Sequence, residues 1–337
     1  MLILYIILFL AACVILAKGG SMVVDALAKI SAFFKWSEFL VAFILMGFMT
    51  SVPELFVGVT SALNKTANLS LGNLIGANIV NLTLVMGLAA ILSRGIKIET
   101  SIAKRDAMFT LLMVVIATAL MMDGVLSRVE GVVLIFIFFI YLIQLFHSNQ
   151  KRFPYFIIRI LQALRFSVNG EKFHKEYEVN GKKSPKEILW DFVKFGIGLA
   201  LLLGSARLIV YLAGAVAQEL GLPMIFLGLV ILSIGTTLPE LTFGIKAVMS
   251  GRREMILGNT FGSVIVNMVF ILGIVALINP ITIASFGVLM ASIVFLIVLL
   301  LVFSIFIRSQ SRLSWQEGMV LVLFYILFLV GTLFLHG

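Results

Sequence analysis

The chain contains little charge and almost no cysteine. Asp, Glu, Lys and Arg make up 12% of its 337 residues, whereas a typical soluble domain has about 25%, and 61% of the residues are hydrophobic. The mean hydropathy is +1.17. This composition excludes an ordinary soluble fold and indicates an integral membrane protein. The single cysteine, Cys13, excludes a disulfide within the chain.

Enzyme motifs are also missing. The sequence has no His-Glu-x-x-His, Gly-x-Ser-x-Gly or Walker A segment, and none of its three histidines has the spacing of a zinc site. We therefore predict that the protein is not an enzyme and holds no prosthetic group. A net charge of +9 would suggest nucleic acid for a soluble protein, but basic residues are common in the cytoplasmic loops of membrane proteins. The expected surroundings are the lipid bilayer, with no nucleic acid.

Long apolar segments are abundant. Runs of about 20 residues, long enough to cross a bilayer as a helix, occur ten times. They are residues 2–28, 38–63, 69–92, 106–122, 129–147, 188–217, 223–249, 256–279, 285–307 and 317–335. The runs lack the two-residue alternation of a barrel, which leaves helices as the spanning structure. The sequence therefore predicts an all-α polytopic membrane protein with ten transmembrane helices.

A polar stretch divides these spans into two groups. Residues 148–187 are the only long polar segment, and they separate five spans in residues 1–147 from five in residues 188–337. Because five is odd, the second half must enter the membrane from the opposite side. This predicts two five-helix inverted-topology repeats, an arrangement of many secondary transporters that bind their substrates near the midplane. The repeats already supply a symmetric pair, so we expect a monomer.

The distribution of Lys and Arg predicts the orientation. Nineteen of these residues lie on one side of the ten spans, nine of them in the loop 148–187, and only Lys65 and Arg128 lie on the other side. Cytoplasmic loops carry the excess of positive residues. We therefore expect a multi-pass protein of the plasma (inner) membrane, with both termini outside and the long loop in the cytoplasm.

One segment of the sequence occurs twice. Residues 47–88 and 233–274 align at a constant offset of 186 and share 13 identities. Each copy has a Thr-x-x-Pro-Glu segment followed by a Gly-Asn pair and a further asparagine. These residues are Thr50, Pro53, Glu54, Asn73 and Asn81 in the first copy, and Thr236, Pro239, Glu240, Asn259 and Asn267 in the second.

The duplicated residues are suited to binding a cation. An ionisable side chain in a membrane span costs roughly 2.5–3.5 kcal/mol, so Glu54 and Glu240 in matching frames indicate a paired polar site. Pro53 and Pro239 each free a backbone oxygen, which a cation, a water or a neighbouring helix can satisfy. Two carboxylates neutralise one divalent ion, and calcium takes about six to eight oxygen ligands. Further oxygens come from Thr50, Ser51, Thr236, Thr237, Ser263, Asn73, Asn81, Asn259 and Asn267.

The same residues also allow a role without an ion. A protonated glutamic acid can hydrogen-bond to neighbouring helices, and asparagine side chains can join helices in lipid. Because the Pro-Glu pair occurs at matching positions in both copies, a purely structural role for the two Glu residues is disfavoured.

At these residues the chain resembles the calcium/cation antiporter superfamily, in particular its prokaryotic sodium/calcium exchanger branch. That branch has ten spans and two inverted repeats with G-T-S-x-P-E and G-N-x-x-G-S-N-type motifs. The resemblance implies that Glu54 and Glu240 bind calcium and that Asn81 and Asn267 complete the centre, with Ser263 at a sodium position. It also implies hydroxyl and carbonyl ligands from Thr50, Ser51, Thr236 and Thr237. From the residue types themselves we expect Asn73, Asn259, Pro53 and Pro239 to support the site.

The function that the resemblance implies is export of calcium in exchange for sodium by alternating access, with spans 1 and 6 sliding across a core of spans 2, 3, 7 and 8. Four positions depart from the family pattern: Met49 replaces a Gly, Ala77 a Ser and Val264 an Asn, and Asn267 stands where Asp is frequent. These departures leave a proton/calcium exchanger with the same two Glu residues as an alternative. A passive cation channel is a further alternative, against which the duplicated inverted frame argues.

Overall fold

The computed structural model describes residues 2–33, 47–97, 101–147, 185–221, 223–249, 253–283, 285–310 and 312–334. These residues are mostly helical, as the composition predicts. The predicted loop 148–187 lies outside the described residues up to residue 184, and so does the beginning of the predicted span 38–63.

The first half consists of helices and two short strands. The helices are α1 (Leu2–Phe33), α2 (Gly47–Thr50), α3 (Val52–Leu63), α4 (Ala67–Val80), α5 (Met86–Leu92), α6 (Ser101–Leu120) and α7 (Arg128–His147). The π-helix π1 (Asn81–Val85) joins α4 to α5. The strands are β1 (Ile96–Lys97) and β2 (Val125–Leu126).

The second half has the same kinds of element. Its helices are α8 (Pro185–Leu220), α9 (Met224–Leu227), α10 (Ser233–Thr236), α11 (Leu238–Met249), α12 (Arg253–Ile265), α13 (Leu272–Ile278), α14 (Phe286–Gln310) and α15 (Trp315–Phe334). The π-helix π2 (Gly228–Leu232) joins α9 to α10, and π3 (Val266–Ile271) joins α12 to α13. The strands are β3 (Ile281–Thr282) and β4 (Arg312–Leu313).

Seven helical stretches in the described part of the chain are long and apolar enough to cross a membrane. They are Leu2–Val23, Ala67–Leu92, Leu189–Leu220, Met224–Met249, Ile256–Ile278, Phe286–Phe306 and Trp315–Leu333. The predicted spans 38–63, 106–122 and 129–147 are not among the seven. Within them, Val52–Leu63 and Ala107–Leu120 are shorter apolar helices, and α7 has 20 residues. The protein is thus a mostly helical membrane protein, and the number of ten spans stays a prediction.

The buried apolar side chains form two clusters. One, the motif core, joins the helices of both motifs to α6, α7, α14 and α15 and includes Leu74. The other, the α1–α8 layer, is built mainly from those two helices and includes Leu16 and Ile209. The motifs lie at the boundary, because Val52 packs within the layer whereas Leu55 packs against the motif core.

The two helices of the α1–α8 layer are long and closely packed. They have 32 and 36 residues. At about 1.5 Å per residue they extend roughly 48 and 54 Å, beyond the ~30 Å hydrocarbon core of a bilayer. A β-carbon built on Gly19 would lie 3.1 Å from the carbonyl oxygen of Gly198. The small residues therefore let the two helices meet nearly backbone to backbone.

Short antiparallel strands join the two halves crosswise. Strand β1 pairs with β4 through Ile96 and Leu313, and β2 pairs with β3 through Leu126 and Ile281. In both pairs one strand comes from each half of the chain. Each half therefore completes the sheets of the other.

Helix crossings follow the same exchange between halves. A β-carbon on Gly87 would lie 2.8 Å from the carbonyl oxygen of Gly318, and one on Gly131 would lie 2.8 Å from that of Gly273. Helix α5 thus meets α15, and α7 meets α13, each at two glycines. A larger residue at any of the four positions would force two backbones apart.

Helices α7 and α15 begin with the same capping box. The backbone N–H of Ser127 donates to Glu130 Oε2 over 2.7 Å, and the N–H of Glu130 donates to Ser127 Oγ over 3.3 Å. Ser314 and Glu317 make the same two bonds, at the same distances, before α15. These reciprocal bonds satisfy N–H groups that would otherwise lack partners at the helix start.

Candidate cation site

Both motif helices break next to their proline. Helix α2 ends before Ser51, with φ −80° and ψ 7°, and α10 ends before Thr237, with φ −86° and ψ 4°. Pro53 and Pro239 have no N–H to bond the carbonyl four residues earlier, so the hydrogen-bond pattern is interrupted and a new helix begins at the residue before each proline. The chain then turns into α3 and α11 with a glutamate in the first turn of each. A carboxylate is favoured there because the helix N-terminus is partially positive.

The two glutamates are fully buried. Glu54 and Glu240 both have 0% of their surface exposed. None of their four carboxylate oxygens has a hydrogen-bond partner among the described residues. The two carboxyls also lie close enough for their negative charges to repel each other. Buried charges without partners are costly, and a cation bound between these carboxyls would remove that cost.

Threonines and asparagines connect the motifs crosswise. The Thr50 hydroxyl donates to Asn259 Oδ1 over 3.1 Å, and the Thr236 hydroxyl donates to Asn73 Oδ1 over 3.1 Å. These two bonds are related by the offset of 186 that relates the two sequences. The Thr50 hydroxyl also lies 3.2 Å from that of Ser263. One residue of each bond comes from each motif, so the two motifs form a single site.

Each of these threonines lies beside the glutamate of the opposite motif. The Thr236 hydroxyl neighbours the Glu54 carboxyl, and the Thr50 hydroxyl neighbours the Glu240 carboxyl. A hydroxyl oxygen and a carboxylate oxygen therefore face the same region from opposite halves, as ligands of one cation would.

The residues that follow these threonines differ from each other. The Thr237 hydroxyl donates to the carbonyl oxygen of Ser233 over 2.8 Å, whereas the Ser51 hydroxyl is buried without a partner in the described part of the chain. Ser51 therefore has its hydroxyl free for an ion or a water, and Thr237 holds its hydroxyl against its own helix.

Two asparagines lie where the helices change to π geometry. Asn81 is the first residue of π1, and Asn267 is the second of π3. Such π segments within α-helices are frequent at functional sites. Within the described residues, both amide atoms of Asn81 lack partners, and so does Oδ1 of Asn267. Buried amide oxygens without partners are suitable ligands for calcium or sodium.

Asn78 is a residue of this region that the sequence interpretation missed. Its Oδ1 accepts a hydrogen bond from Asn267 Nδ2 over 2.9 Å, and it is fully buried. The comparison of the two copies passed over it because Val264 occupies the matching position. The available signal was its position three residues before Asn81, nearly one helical turn away.

Gly20 in α1 was also missed. A β-carbon built on it would lie 3.0 Å from the Cγ atoms of both Pro53 and Pro239. One residue of the α1–α8 layer thus touches both motif breaks.

All thirteen predicted site residues lie in the described part of the chain. Those predicted as ligands are buried, with at most 1% of their surface exposed: Glu54, Glu240, Thr50, Ser51, Thr236, Thr237, Asn81, Asn267 and Ser263. Hydrogen bonds join Thr50 to Asn259 and Ser263, and Thr236 to Asn73. No cluster of three or more His, Cys, Asp or Glu occurs in the described ranges. The acidic part of this site is therefore a pair, and neutral oxygens must complete any coordination.

Comparison with known proteins identifies the family. The sodium/calcium exchanger protein family matches residues 4–146 and 190–334. This chain belongs to that family. The resemblance predicted from the two motifs is thereby confirmed, and the segment between the two matched ranges contains the whole of the predicted loop 148–187.

Individual exchangers and relatives match over most of the chain. It is 31% identical over 233 residues to the inner membrane protein YrbG of Escherichia coli, a match that covers 68% of this chain and 66% of YrbG. It is 27% identical over 340 residues to the sodium/calcium exchanger MaX1 of Methanosarcina acetivorans, over 96% of this chain and 97% of MaX1. A solved structure of the sodium-calcium exchanger NCX_Mj matches with a TM-score of 0.63 and 26% identity, over 98% of this chain and 99% of that one.

Proposed function

We propose that this exchanger family member is a secondary active antiporter that exchanges calcium for sodium across the membrane. The observation that carries the proposal is the buried pair Glu54 and Glu240, whose four carboxylate oxygens lack partners in the described part of the chain. Membership of the sodium/calcium exchanger family supports sodium as the counter-ion. The similarity to MaX1 along nearly the whole chain supports it further.

The carboxylate pair gives a physical reason for coupled exchange. One calcium ion or two sodium ions neutralise two carboxylates, so the two kinds of ion compete for one site. An empty site would leave two charges in a low-dielectric interior. This disfavours the switch between the outward-facing and inward-facing states when no ion is bound. The proposed ligands are Glu54, Glu240, Thr50, Ser51, Thr236, Thr237, Asn81, Asn267 and Ser263.

The proposed architecture is ten transmembrane helices in two inverted repeats, residues 1–147 and 188–337. The crosswise strand pairs, the paired glycine crossings and the matching π-helices at Asn81 and Asn267 support it. The protein is proposed to be a monomer in the plasma (inner) membrane, with both termini outside and the loop 148–187 in the cytoplasm.

Movement of the α1–α8 layer across the motif core is the proposed route to alternating access. Most of the layer's apolar cluster comes from α1 and α8 and is distinct from the motif core, although Val52, Val57 and Leu69 of the first motif also belong to it. Its contact with both prolines is made by Gly20, which has no side chain to interlock with them. Because this cluster is separate from the motif core, the layer can shift by exchanging its contacts with the motif helices while the core stays packed.

The experiment is calcium uptake into proteoliposomes. Vesicles loaded with sodium are diluted into sodium-free buffer containing radioactive calcium, and a parallel set carries only an acid-inside pH gradient. Sodium-driven uptake that is lost in Glu54→Gln is the expected result. Uptake driven only by the pH gradient would identify the proton/calcium alternative. Uptake that responds to neither gradient would identify a channel.

A further inference from the structure

Three hydrogen bonds around the site share one polarity. In each, a residue proposed as a ligand donates its hydrogen to the amide oxygen of an asparagine in the opposite half. Thr50 donates to Asn259, Thr236 to Asn73 and Asn267 to Asn78. In the described part of the chain, the Nδ2 atoms of all three accepting asparagines have no partner. These asparagines therefore act toward the ligands as hydrogen-bond acceptors only.

This polarity matters for cation binding. A hydroxyl binds a cation through its oxygen lone pairs, and its hydrogen must point elsewhere. The Thr236 hydroxyl lies beside the Glu54 carboxyl and also 3.3 Å from the carbonyl oxygen of Ser233 on its own helix, so three acceptors compete for its hydrogen. The amide oxygen of Asn73, at 3.1 Å, is nearer than the Ser233 carbonyl, and a hydrogen directed to it leaves the threonine and carboxylate oxygens for the ion. The same reasoning applies to Thr50, which neighbours Glu240 and donates to Asn259.

The amide of Asn267 follows the same rule. Its Nδ2 is engaged by Asn78, and its buried Oδ1 is left without a partner among the described residues. An asparagine that offered its NH₂ group to the centre would repel a cation. The bond to Asn78 fixes the side chain so that its oxygen is the atom available to the ion.

We propose that Asn73, Asn259 and Asn78 are positioning residues that turn the hydrogens of Thr236, Thr50 and Asn267 away from the ion. This inference rests on the proposed cation site. It gives Asn73 and Asn259 a role other than coordination, and it adds Asn78, which has no counterpart in the second motif. Because each accepting asparagine comes from the opposite half, the orientation of the ligand side chains depends on how the two halves pack against each other.

A double-mutant cycle tests the proposal. The variants are Asn73→Leu, Thr236→Val and both together, and the measurement is equilibrium binding of radioactive calcium to the full-length protein in detergent. If Asn73 acts only through the Thr236 hydroxyl, each single variant weakens binding by roughly tenfold and the double variant by no more than the worse single. The mirror cycle of Asn259→Leu with Thr50→Val is expected to behave alike.

Mismatched pairs are the controls. Asn73→Leu with Thr50→Val combines two variants that share no hydrogen bond, so their losses are expected to multiply to about a hundredfold. Asn73→Asp keeps an acceptor oxygen and adds a negative charge near the ion, so it is expected to keep or raise calcium affinity, whereas Asn73→Leu lowers it. For the third bond, Asn78→Leu and Asn267→Ala are expected to couple in the same manner as the matched threonine pairs.

Several outcomes would overturn the inference. They are unchanged calcium affinity in a folded Asn73→Leu protein, multiplicative losses in the matched cycles, or equal coupling in matched and mismatched pairs. Melting temperatures measured without ions distinguish variants that are unfolded from folded variants whose ligand side chains are misoriented. The proposed function is tested separately. Wild-type protein that binds calcium but shows no sodium-driven uptake would contradict sodium/calcium exchange, and the double-mutant cycles could still be measured because they require only calcium binding.

Discussion

The hydroxyl of Thr50 donates a hydrogen bond to the amide oxygen of Asn259 over 3.1 Å, although the two residues are 209 positions apart in the chain. Its counterpart, from Thr236 to Asn73, has the same length. The two motifs therefore form one site. They are not interchangeable, because Asn78 and Ala77 of the first motif correspond to Val264 and Ser263 of the second.

Neutralising one glutamate should stop exchange. Glu54→Gln and Glu240→Gln each remove one of two buried charges, and loss of a buried charge partner is worth roughly 3–5 kcal/mol. We expect sodium-driven calcium uptake to fall by about a hundredfold or more, to the level of empty vesicles. The melting temperature without ions should stay the same or rise, because the repulsion between the carboxyls is relieved. Calcium flux retained in both single variants would show that these carboxylates do not form the site.

Adding a carboxylate should change ion affinity. Asn267→Asp introduces a third negative charge, and a charge near the ion is worth roughly 1 kcal/mol or more at an effective dielectric constant of about 20. The Asn78 amide can turn to donate its unpartnered Nδ2 to the new carboxylate. We expect calcium affinity to rise by roughly tenfold and the sodium dependence of exchange to become steeper. A sodium titration of calcium release from loaded vesicles measures both, and an unchanged curve would place residue 267 away from the ion.

A side chain at Gly20 should slow transport without abolishing binding. A β-carbon there would lie 3.0 Å from both proline rings, and overpacking typically costs about 1–3 kcal/mol. Gly20→Ala is expected to reduce the exchange rate, and Gly20→Val to reduce it further, while equilibrium calcium binding persists. Gly204→Ala in α8, where a β-carbon meets nothing within 4 Å, is the matched control. Wild-type exchange rates in Gly20→Val would show that this contact does not limit movement.

Cys13 offers a natural reporter of that movement. It is the only cysteine in the chain and is buried, and a β-carbon on Gly235 would lie 3.1 Å from its Sγ atom. If the α1–α8 layer shifts past the second motif, labelling of Cys13 by N-ethylmaleimide should differ severalfold between sodium-only and calcium-only conditions. Cys13→Ala protein gives the background. Identical labelling rates in the two conditions would argue that α1 is stationary beside Gly235.

Much of the local structure could be predicted from the sequence. Prolines cannot continue a helix hydrogen-bond pattern, and the helices do break beside Pro53 and Pro239. The apolar run 188–217 predicts the long helix observed as α8 (Pro185–Leu220). Such features depend on residues near in sequence, which is why the pattern indicates them.

Other features have no local signal. The segment Asn81–Val85 reads Asn-Leu-Thr-Leu-Val and has no proline or glycine to mark a change of helix geometry, so its composition does not predict the π-helix. The bond between Asn78 and Asn267 joins residues 189 positions apart. Comparing the two copies could not find it, because that comparison selects what both halves share and Asn78 belongs to one half only. Glycine crossings such as Gly87 with Gly318 likewise depend on which helices become neighbours.

The crosswise strands have a consequence for how the molecule is assembled. Since β1 needs β4 and β2 needs β3, neither half has a finished edge of its own. Two fragments separated within residues 148–187 would each lack two strand partners and one side of the ion site until they met. Each half thus depends on the other as one subunit of an obligate heterodimer depends on its partner. Because both halves belong to one polypeptide, they are always made in equal number.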